Sequence, residues 1–168
     1  MNKEILLADL EQATNRLVEV LFHFTSESFM EKPANGGWSA AEITDHLLKV
    51  ETTANAALRS KSVPTTRPPD SKIAFIKEKM EDETKREAPE PLRPSSELHD
   101  IFVMLGQLRR QRDELAKAIE QYDETEACIG QKHPALGTLT RMEWIYFIIY
   151  HADRHLRQLK KLQTKLAF

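Results

Sequence analysis

The chain has 168 residues, of which 40% are hydrophobic and 30% charged, and its formal net charge is −2. This length suits one hydrophobic core, so we expect a single domain over residues 1–168. The small net charge, with no basic run among aromatic residues, excludes the usual signature of a nucleic-acid-binding surface. The most apolar run, from Trp144 to Tyr150, is much shorter than the roughly 20 residues that span a bilayer, so no membrane anchor is predicted. Cys128 is the sole cysteine, which excludes an internal disulfide and favours a cytoplasmic location.

The first half of the chain predicts two long helices. The first runs from about Lys3 to Ser28, because apolar residues recur there every three or four positions: Leu6, Leu10, Leu17, Leu21 and Phe24. The second begins at Ser39, where Ser39-Ala40-Ala41-Glu42 has the pattern of a capping box, and continues to about Arg59. His46 lies on its apolar face, among small and branched residues: Ile43, Val50, Ala54 and Ala57.

A proline-rich segment separates the second helix from the third. It contains Pro64, Pro68, Pro69, Pro89, Pro91 and Pro94, with a short charged helix predicted around Ile73 to Arg86. This connection is too long for a tight helical hairpin. It favours an all-α four-helix bundle in which a long crossover lets the second and third helices run in the same direction.

The second half of the chain predicts two more long helices. The third begins near Ser95 or Ser96 and directs five apolar residues to the core: Leu98, Phe102, Leu105, Leu115 and Ile119. A loop with Cys128, Pro134 and Gly137 follows, and Thr140-Arg141-Met142-Glu143 is a second capping box. On the fourth helix the core face carries Trp144, Phe147, Ile148, Leu159 and Leu162 together with His151 and His155.

Three histidines therefore lie on the apolar faces of two helices. His151 and His155 are four residues apart, so both rings can point at one ion from a single helix face, and His46 can complete the set. A lone histidine on such a face is more often a core residue that bonds to the backbone. Burying three unsatisfied rings is costly, however, and a shared cation would satisfy them together. Both interpretations stay open on the pattern alone.

Three local motifs resemble the DinB-like, or YfiT-like, family of four-helix metal-binding proteins. They are Gly37-Trp38-Ser39 leading to His46-Leu47, His133-Pro134-Ala135-Leu136-Gly137, and Glu143-Trp144-Ile145 leading to Tyr150-His151-Ala152-Asp153-Arg154-His155-Leu156-Arg157-Gln158. The resemblance implies a bundle with one divalent metal ion held by His46, His151 and His155. The ion could be Zn, Ni, Fe, Co or Mn, because three imidazoles do not select among them.

The resemblance also implies a reaction class. The family is similar to thiol-dependent transferases and isomerases that use low-molecular-weight thiols, and other members have been proposed as hydrolases. A metal-dependent transferase or hydrolase that acts on a small molecule is therefore expected, and a homodimer is expected because the family often forms dimers. The alternative is a non-enzymatic binding or stress-response bundle in which the ion only fastens the second helix to the fourth.

Two polar residues are candidates for catalytic roles. Glu42 could act as a base or orient a ligand, although the capping box already explains it. Gln158 lies one turn beyond His155 on the ligand face and could bond substrate, or else make a polar core contact.

The remaining candidates are expected to be structural. His133 is predicted to fix the start of the fourth helix, and His23 and His99 to be surface or capping residues. Cys128 shows no feature that would depress its thiol pKa. Asp153 and Arg154 are expected to be solvated or to bind a neighbouring helix.

Overall fold

Four long helices form the body of the protein. The computed structural model describes residues 2–165. In chain order the elements are α1 (Lys3–Phe22), α2 (Ser26–Met30), α3 (Ala40–Leu58), β1 (Ser62–Val63), α4 (Ile73–Glu81), a 3₁₀ turn (Glu90–Leu92), α5 (Ile101–Gln121), β2 (Ala127–Cys128) and α6 (Arg141–Lys165). The all-α four-helix bundle expected from the sequence is confirmed, with α1, α3, α5 and α6 as its long helices.

The crossover makes two adjacent helices parallel. α3 packs against α5, and the residues at their starts share one core cluster, for example Ile43 with Ile101. The residues at their ends share the other cluster, for example Ala57 with Ala118. Both helices therefore run in the same direction, as the long connection predicted.

The other two helices run the opposite way. α1 and α6 are parallel to each other, because Arg16 pairs with Asp153 and Gln163 bonds the carbonyl of Val20 further along both helices. α3 is antiparallel to α6, since Arg141 at the start of α6 bonds the carbonyl of Leu58 at the end of α3. The start of α3 consequently faces the second half of α6.

Both predicted capping boxes are present. Ser39 Oγ accepts from the backbone N–H of Glu42, and Glu42 Oε2 accepts from the N–H of Ser39. The same reciprocal bonds join Thr140 and Glu143. These bonds satisfy N–H groups that a helix start otherwise leaves unpaired, and so they fix where the two histidine-bearing helices begin.

Two predicted boundaries of the long helices are wrong. The first helix does not reach Ser28, because Thr25 forms its own capping box with Ser28 and starts the short α2. The third helix does not begin at Ser95 or Ser96 but after Asp100, whose carboxylate accepts from the N–H groups of Phe102 and Val103. A local side-chain acceptor decides the start in each case.

Two core assignments near the start of α5 are also wrong. Leu98 is 92% exposed and Phe102 is 68% exposed, whereas Leu105, Leu115 and Ile119 are buried as predicted. Leu98 precedes the helix, so the helical period does not apply to it. The short crossover helix is real but ends at Glu81, before Arg86.

A small sheet was not anticipated. β1 and β2 pair antiparallel, with Ser62 opposite Cys128 and Val63 opposite Ala127. Each strand has only two residues, which is too short to give a period-two pattern. None of the helices over residues 2–165 is both long enough and apolar enough to cross a membrane.

Candidate metal centre

The three predicted histidines meet between α3 and α6. His46 Nε2 lies 3.2 Å from His151 Nε2, and His155 Nε2 lies 3.1 Å from the same atom. All three ligand atoms lie within 4.8 Å of one another, and all three side chains are buried. The antiparallel packing of α3 on α6 places His46 opposite the pair on α6. The tertiary structure thus adds a third ring to the two that the i, i+4 spacing brings together.

The tautomers of two of the rings are fixed by hydrogen bonds. The Nδ1–H of His46 donates to the carbonyl of Leu92 over 2.7 Å, and the Nδ1–H of His155 donates to Oε1 of Gln158 over 2.5 Å. A neutral imidazole has one proton, so the Nε2 of each ring carries a free lone pair. Both lone pairs lie close to the Nε2 of His151.

The donor set fits a bound cation. If His151 carries its proton on Nε2, that proton can satisfy only one of the two facing lone pairs. A divalent cation among the three Nε2 atoms satisfies all of them. The observed separations are close to the roughly 3.4 Å expected between two nitrogens that each lie about 2.0–2.1 Å from a tetrahedral ion. The Nδ1 of His151, in contrast to the other two, is buried without a hydrogen-bond partner among residues 2–165.

The environment keeps the rings neutral. Burial lowers the pKa of His46, and the bond to Leu92 only partly offsets this effect. Burial, with smaller contributions from the neighbouring histidines, lowers the pKa of His151 well below 6.5. Burial also lowers the pKa of His155 to about 3. Neutral rings are the form that binds metal ions, so the ligands are ready to bind without losing a proton.

Aromatic rings enclose two of the ligands. The ring of Trp38 lies 5.1 Å from that of His46, and Phe147 is stacked on His151 at 5.4 Å. These contacts limit ring rotation and exclude water from two sides of the cluster. Trp38 immediately precedes the capping serine of α3, so the cap also determines its position.

The two predicted catalytic residues have local partners. Both carboxylate oxygens of Glu42 are engaged, because Oε2 accepts from the N–H of Ser39 and Oε1 lies 2.9 Å from Lys32 Nζ. Glu42 is not among the ligand atoms of the cluster. Gln158 bonds His155 directly, so its observed contact is with the ligand itself. Whether either residue meets a substrate remains a prediction.

The other histidines are not among the ligand atoms of the cluster. His23 follows α1 and its Nδ1 lies 2.7 Å from the carbonyl oxygen of Glu19, while His99 lies 3.3 Å from Ser95 Oγ. His133 Nδ1 accepts from the N–H groups of Ala135 and Leu136, which shapes the turn that precedes α6. Burial lowers the pKa of His133 to about 4.

Three further expectations about side chains hold. Asp153 binds Arg16 on α1, and Arg154 donates to the carbonyls of Asp82 and Thr84 in the crossover. Cys128 is a buried free thiol, and burial raises its pKa to about 11. A thiol with that pKa is protonated at neutral pH and is a poor nucleophile.

Sequence reasoning missed the main-chain partner of His46. The carbonyl of Leu92 belongs to the crossover, 46 residues away, and a backbone carbonyl leaves no trace in residue identity. The sequence predicts that Gln158 bonds substrate or makes a polar core contact, and the structure adds that it is the acceptor for the His155 ring. A glutamine at i+3 from a histidine in the ligand stripe is a signal that could have indicated it.

Together, the bundle with its long crossover and the three convergent imidazoles define a class of four-helix protein with a histidine cluster that could hold a metal ion. The chain belongs to the DinB superfamily, whose family model matches residues 9–159. It is 33% identical over 151 residues to the uncharacterized protein YuaE of Bacillus subtilis (strain 168). The aligned region covers 84% of this chain and 87% of that protein.

Two solved structures share the fold. One is TT2238, a four-helix bundle protein, with a TM-score of 0.60, 17% identity, and coverage of 95% of this chain and 99% of that one. The other is YfiT from Bacillus subtilis, with a TM-score of 0.65, 15% identity, and coverage of 98% of this chain and 87% of that one. YfiT is described as a probable metal-dependent hydrolase with an unusual four-helix bundle topology.

Proposed function

We propose that this protein is a metal-dependent enzyme that acts on a small molecule, with one divalent cation held by His46, His151 and His155. The observation that carries the proposal is the convergence of three buried Nε2 atoms, two of which have lone pairs fixed by hydrogen bonds on the opposite side of the ring. Three neutral ligands leave the full charge of the ion uncompensated and a coordination position open, as in catalytic sites.

Hydrolysis is the reaction favoured among the two classes that the sequence left open. The description of YfiT as a probable metal-dependent hydrolase supports it, and thiol transfer has no comparable support. A divalent ion supplies Lewis-acid chemistry, which polarises a reacting group and generates a nucleophile near neutral pH. The residues of the chain bind and orient that ion, and the aromatic walls from Trp38 and Phe147 exclude water beside it.

Proton transfer is not assigned to a carboxylate of the cluster. The metal-ligating group contains only histidines, and the carboxylate of Glu42 is used by the helix cap and Lys32. We therefore expect the proton that the attacking water releases during turnover to pass to the substrate or to solvent, and not to Glu42. This distinguishes the site from those in which a ligand-adjacent glutamate is the general base.

The test begins with metal content. Protein made without a metal-affinity tag is analysed by elemental mass spectrometry for the wild type, His46→Ala and His151→Ala, with His23→Ala as the matched control. We expect about one ion per chain in the wild type and the control, and loss of the ion in the two cluster variants. Absence of metal in the wild type, even after reconstitution, would overturn the proposal.

The second step separates catalysis from a structural metal. Activated esters, amides and phosphate esters are screened for hydrolysis, and a low-molecular-weight thiol with electrophilic acceptors is screened for transfer. Hydrolysis that needs both the ion and His46 supports the proposal, and thiol transfer alone would favour the transferase. A stoichiometric ion without turnover on any substrate would favour the alternative, in which the ion only joins α3 to α6. A homodimer also stays a prediction, which light scattering during size-exclusion chromatography would check.

A further inference from the structure

Part of the crossover passes over the histidine cluster. We call residues 82–95 the strap. At one end, Arg154, which precedes His155 on α6, donates to the carbonyls of Asp82 and Thr84. At the other end the strap is held by α3, the helix that carries His46. Because the cluster lies between α3 and α6, a segment fastened to both helices beside the ligands must cross the groove at that level.

The contact with α3 includes a ligand itself. His46 donates to the carbonyl of Leu92 over 2.7 Å. Lys49, three residues further along α3, donates to the carbonyl of Arg93 over 2.7 Å. Asp45 accepts from the N–H of Ser95 over 2.8 Å. Three hydrogen bonds within four residues of the strap therefore join it to the part of α3 that contains His46.

The middle of the strap has no such anchors. Within the described residues, the hydrogen bonds and ion pairs of residues 85–91 all stay inside the strap, such as Arg86 with Asp82 and Arg93 with the carbonyl of Ala88. Most of these residues are exposed. The middle is thus held in place mainly by its two ends, and release of either end would free it.

We propose that docking of the strap and binding of the cation are coupled through the bond between His46 and Leu92. This rests on the proposed function, because it requires that His46 bind an ion. The carbonyl of Leu92 holds the His46 ring in the tautomer and orientation that directs Nε2 into the cluster. A cation on Nε2 in turn makes the Nδ1–H a stronger donor to that carbonyl. Coupling of this kind is reciprocal. Binding of the ion favours the docked strap, and docking of the strap raises the affinity of the site for the ion.

Limited proteolysis tests the effect of the ion on the strap. Trypsin can cut after Lys85 and Arg86 in the exposed middle of the strap. With saturating Zn²⁺ as the probe, we expect cleavage at these bonds to slow by about tenfold in the wild type and in His23→Ala. His46→Ala should show no slowing. Equal cleavage rates with and without Zn²⁺ in a wild type that binds the ion would overturn the coupling.

A matched pair of variants tests the effect of the strap on the ion. Leu92→Ala removes a half-buried side chain that packs against the core, whereas Leu98→Ala makes the same change at a residue of the same connection that is 92% exposed. Competition with a chromophoric chelator should show Zn²⁺ affinity about tenfold weaker in Leu92→Ala and unchanged in Leu98→Ala.

The outcomes separate the two proposals. A wild type that binds Zn²⁺, with equal affinity in both leucine variants and no protection of the strap, would overturn the coupling and leave the proposed function intact. A wild type that binds no Zn²⁺ would overturn both. Protection together with a selective loss in Leu92→Ala would support the coupling, and circular dichroism of both variants confirms that each is folded.

Discussion

Gln158 accepts a 2.5 Å hydrogen bond from the Nδ1–H of His155, one turn earlier on α6. The bond fixes the proton on Nδ1 and leaves Nε2 free to face His151. Gln158 is exposed to solvent, so burial alone does not explain the contact. We infer that Gln158 orients a ligand, in the way that amide and carboxylate partners do in other histidine metal sites.

Whether substitution of Gln158 lowers metal affinity should therefore depend on whether the new side chain can accept the hydrogen bond from His155. Gln158→Leu removes the acceptor and should weaken Zn²⁺ binding by about tenfold, whereas Gln158→Glu supplies a charged acceptor and should preserve or tighten it. The control is Gln163→Leu, which removes another glutamine of α6, one that bonds the carbonyl of Val20 on α1. Chelator competition measures all three. An unchanged affinity in Gln158→Leu would contradict the orienting role.

Metal binding should stabilise the fold. An ion that binds only the native state at about 100 times its Kd contributes about 2.7 kcal/mol. For a domain of this size that corresponds to a rise in Tm of about 5–11 °C. Thermal unfolding followed by circular dichroism, with Zn²⁺ and with chelator, measures the shift. The same rise in His46→Ala would show that the ion binds elsewhere.

The loop histidine His133 should make stability depend on pH. Burial lowers its pKa from 6.5 to about 4, so between these values the unfolded chain binds a proton that the folded ring does not. The unfolding free energy must then decrease as the pH falls through this range. Above pH 6.5 the ring is neutral in both states, so this loss of stability is absent there. His133→Asn keeps an acceptor for the N–H groups of Ala135 and Leu136 but cannot titrate.

Urea denaturation at pH 7 and pH 5 checks this expectation. The loss of stability between the two values should be smaller in His133→Asn than in the wild type, because the variant has no ring at position 133 that takes up a proton on unfolding. An identical loss in the two proteins would show that His133 is not protonated on unfolding in this range.

A buried ion pair should be a strong determinant of stability. Arg112 on α5 binds Glu51 on α3 through two nitrogens and also donates to Thr14 on α1, and Arg112 and Glu51 are both at least 96% buried. Arg112→Met leaves the carboxylate buried without its partner and should cost about 3–5 kcal/mol. The double variant with Glu51→Leu should recover much of that loss.

Denaturation curves for the single and double variants measure this coupling. Glu114→Gln, which breaks exposed pairs with Arg59 and Lys117, should leave the denaturation midpoint unchanged. A single variant as stable as the wild type would mean that the pair does not hold the three helices in register.

The role of Glu42 can be separated from that of a catalytic base. Glu42→Gln keeps an acceptor for the N–H of Ser39 and should preserve the cap, whereas Glu42→Ala should cost about 1 kcal/mol. Metal content should be normal in both. If Glu42→Gln retained its ion and its fold but lost metal-dependent hydrolysis, Glu42 would be the base after all.

The sequence by itself determined the four long helices of the bundle and most of the residues that they bury. The two capping boxes placed the starts of α3 and α6 to the residue, because a cap depends on groups three positions apart in the chain. The apolar period also placed His46, His151 and His155 on core faces. These properties are local, so they can be read without knowing how the helices pack.

The tertiary structure alone decided how the site is completed. Leu92 became the acceptor for His46 because the crossover folds back across α3, and no residue type encodes a backbone carbonyl. Leu98 fitted an apolar pattern yet is exposed, because the acceptor at Asp100 starts the helix after it. The convergence of three imidazoles likewise depends on the antiparallel packing of α3 on α6, a contact between residues 105 positions apart. Such contacts arise from the whole chain, and helical periodicity reports only on neighbours.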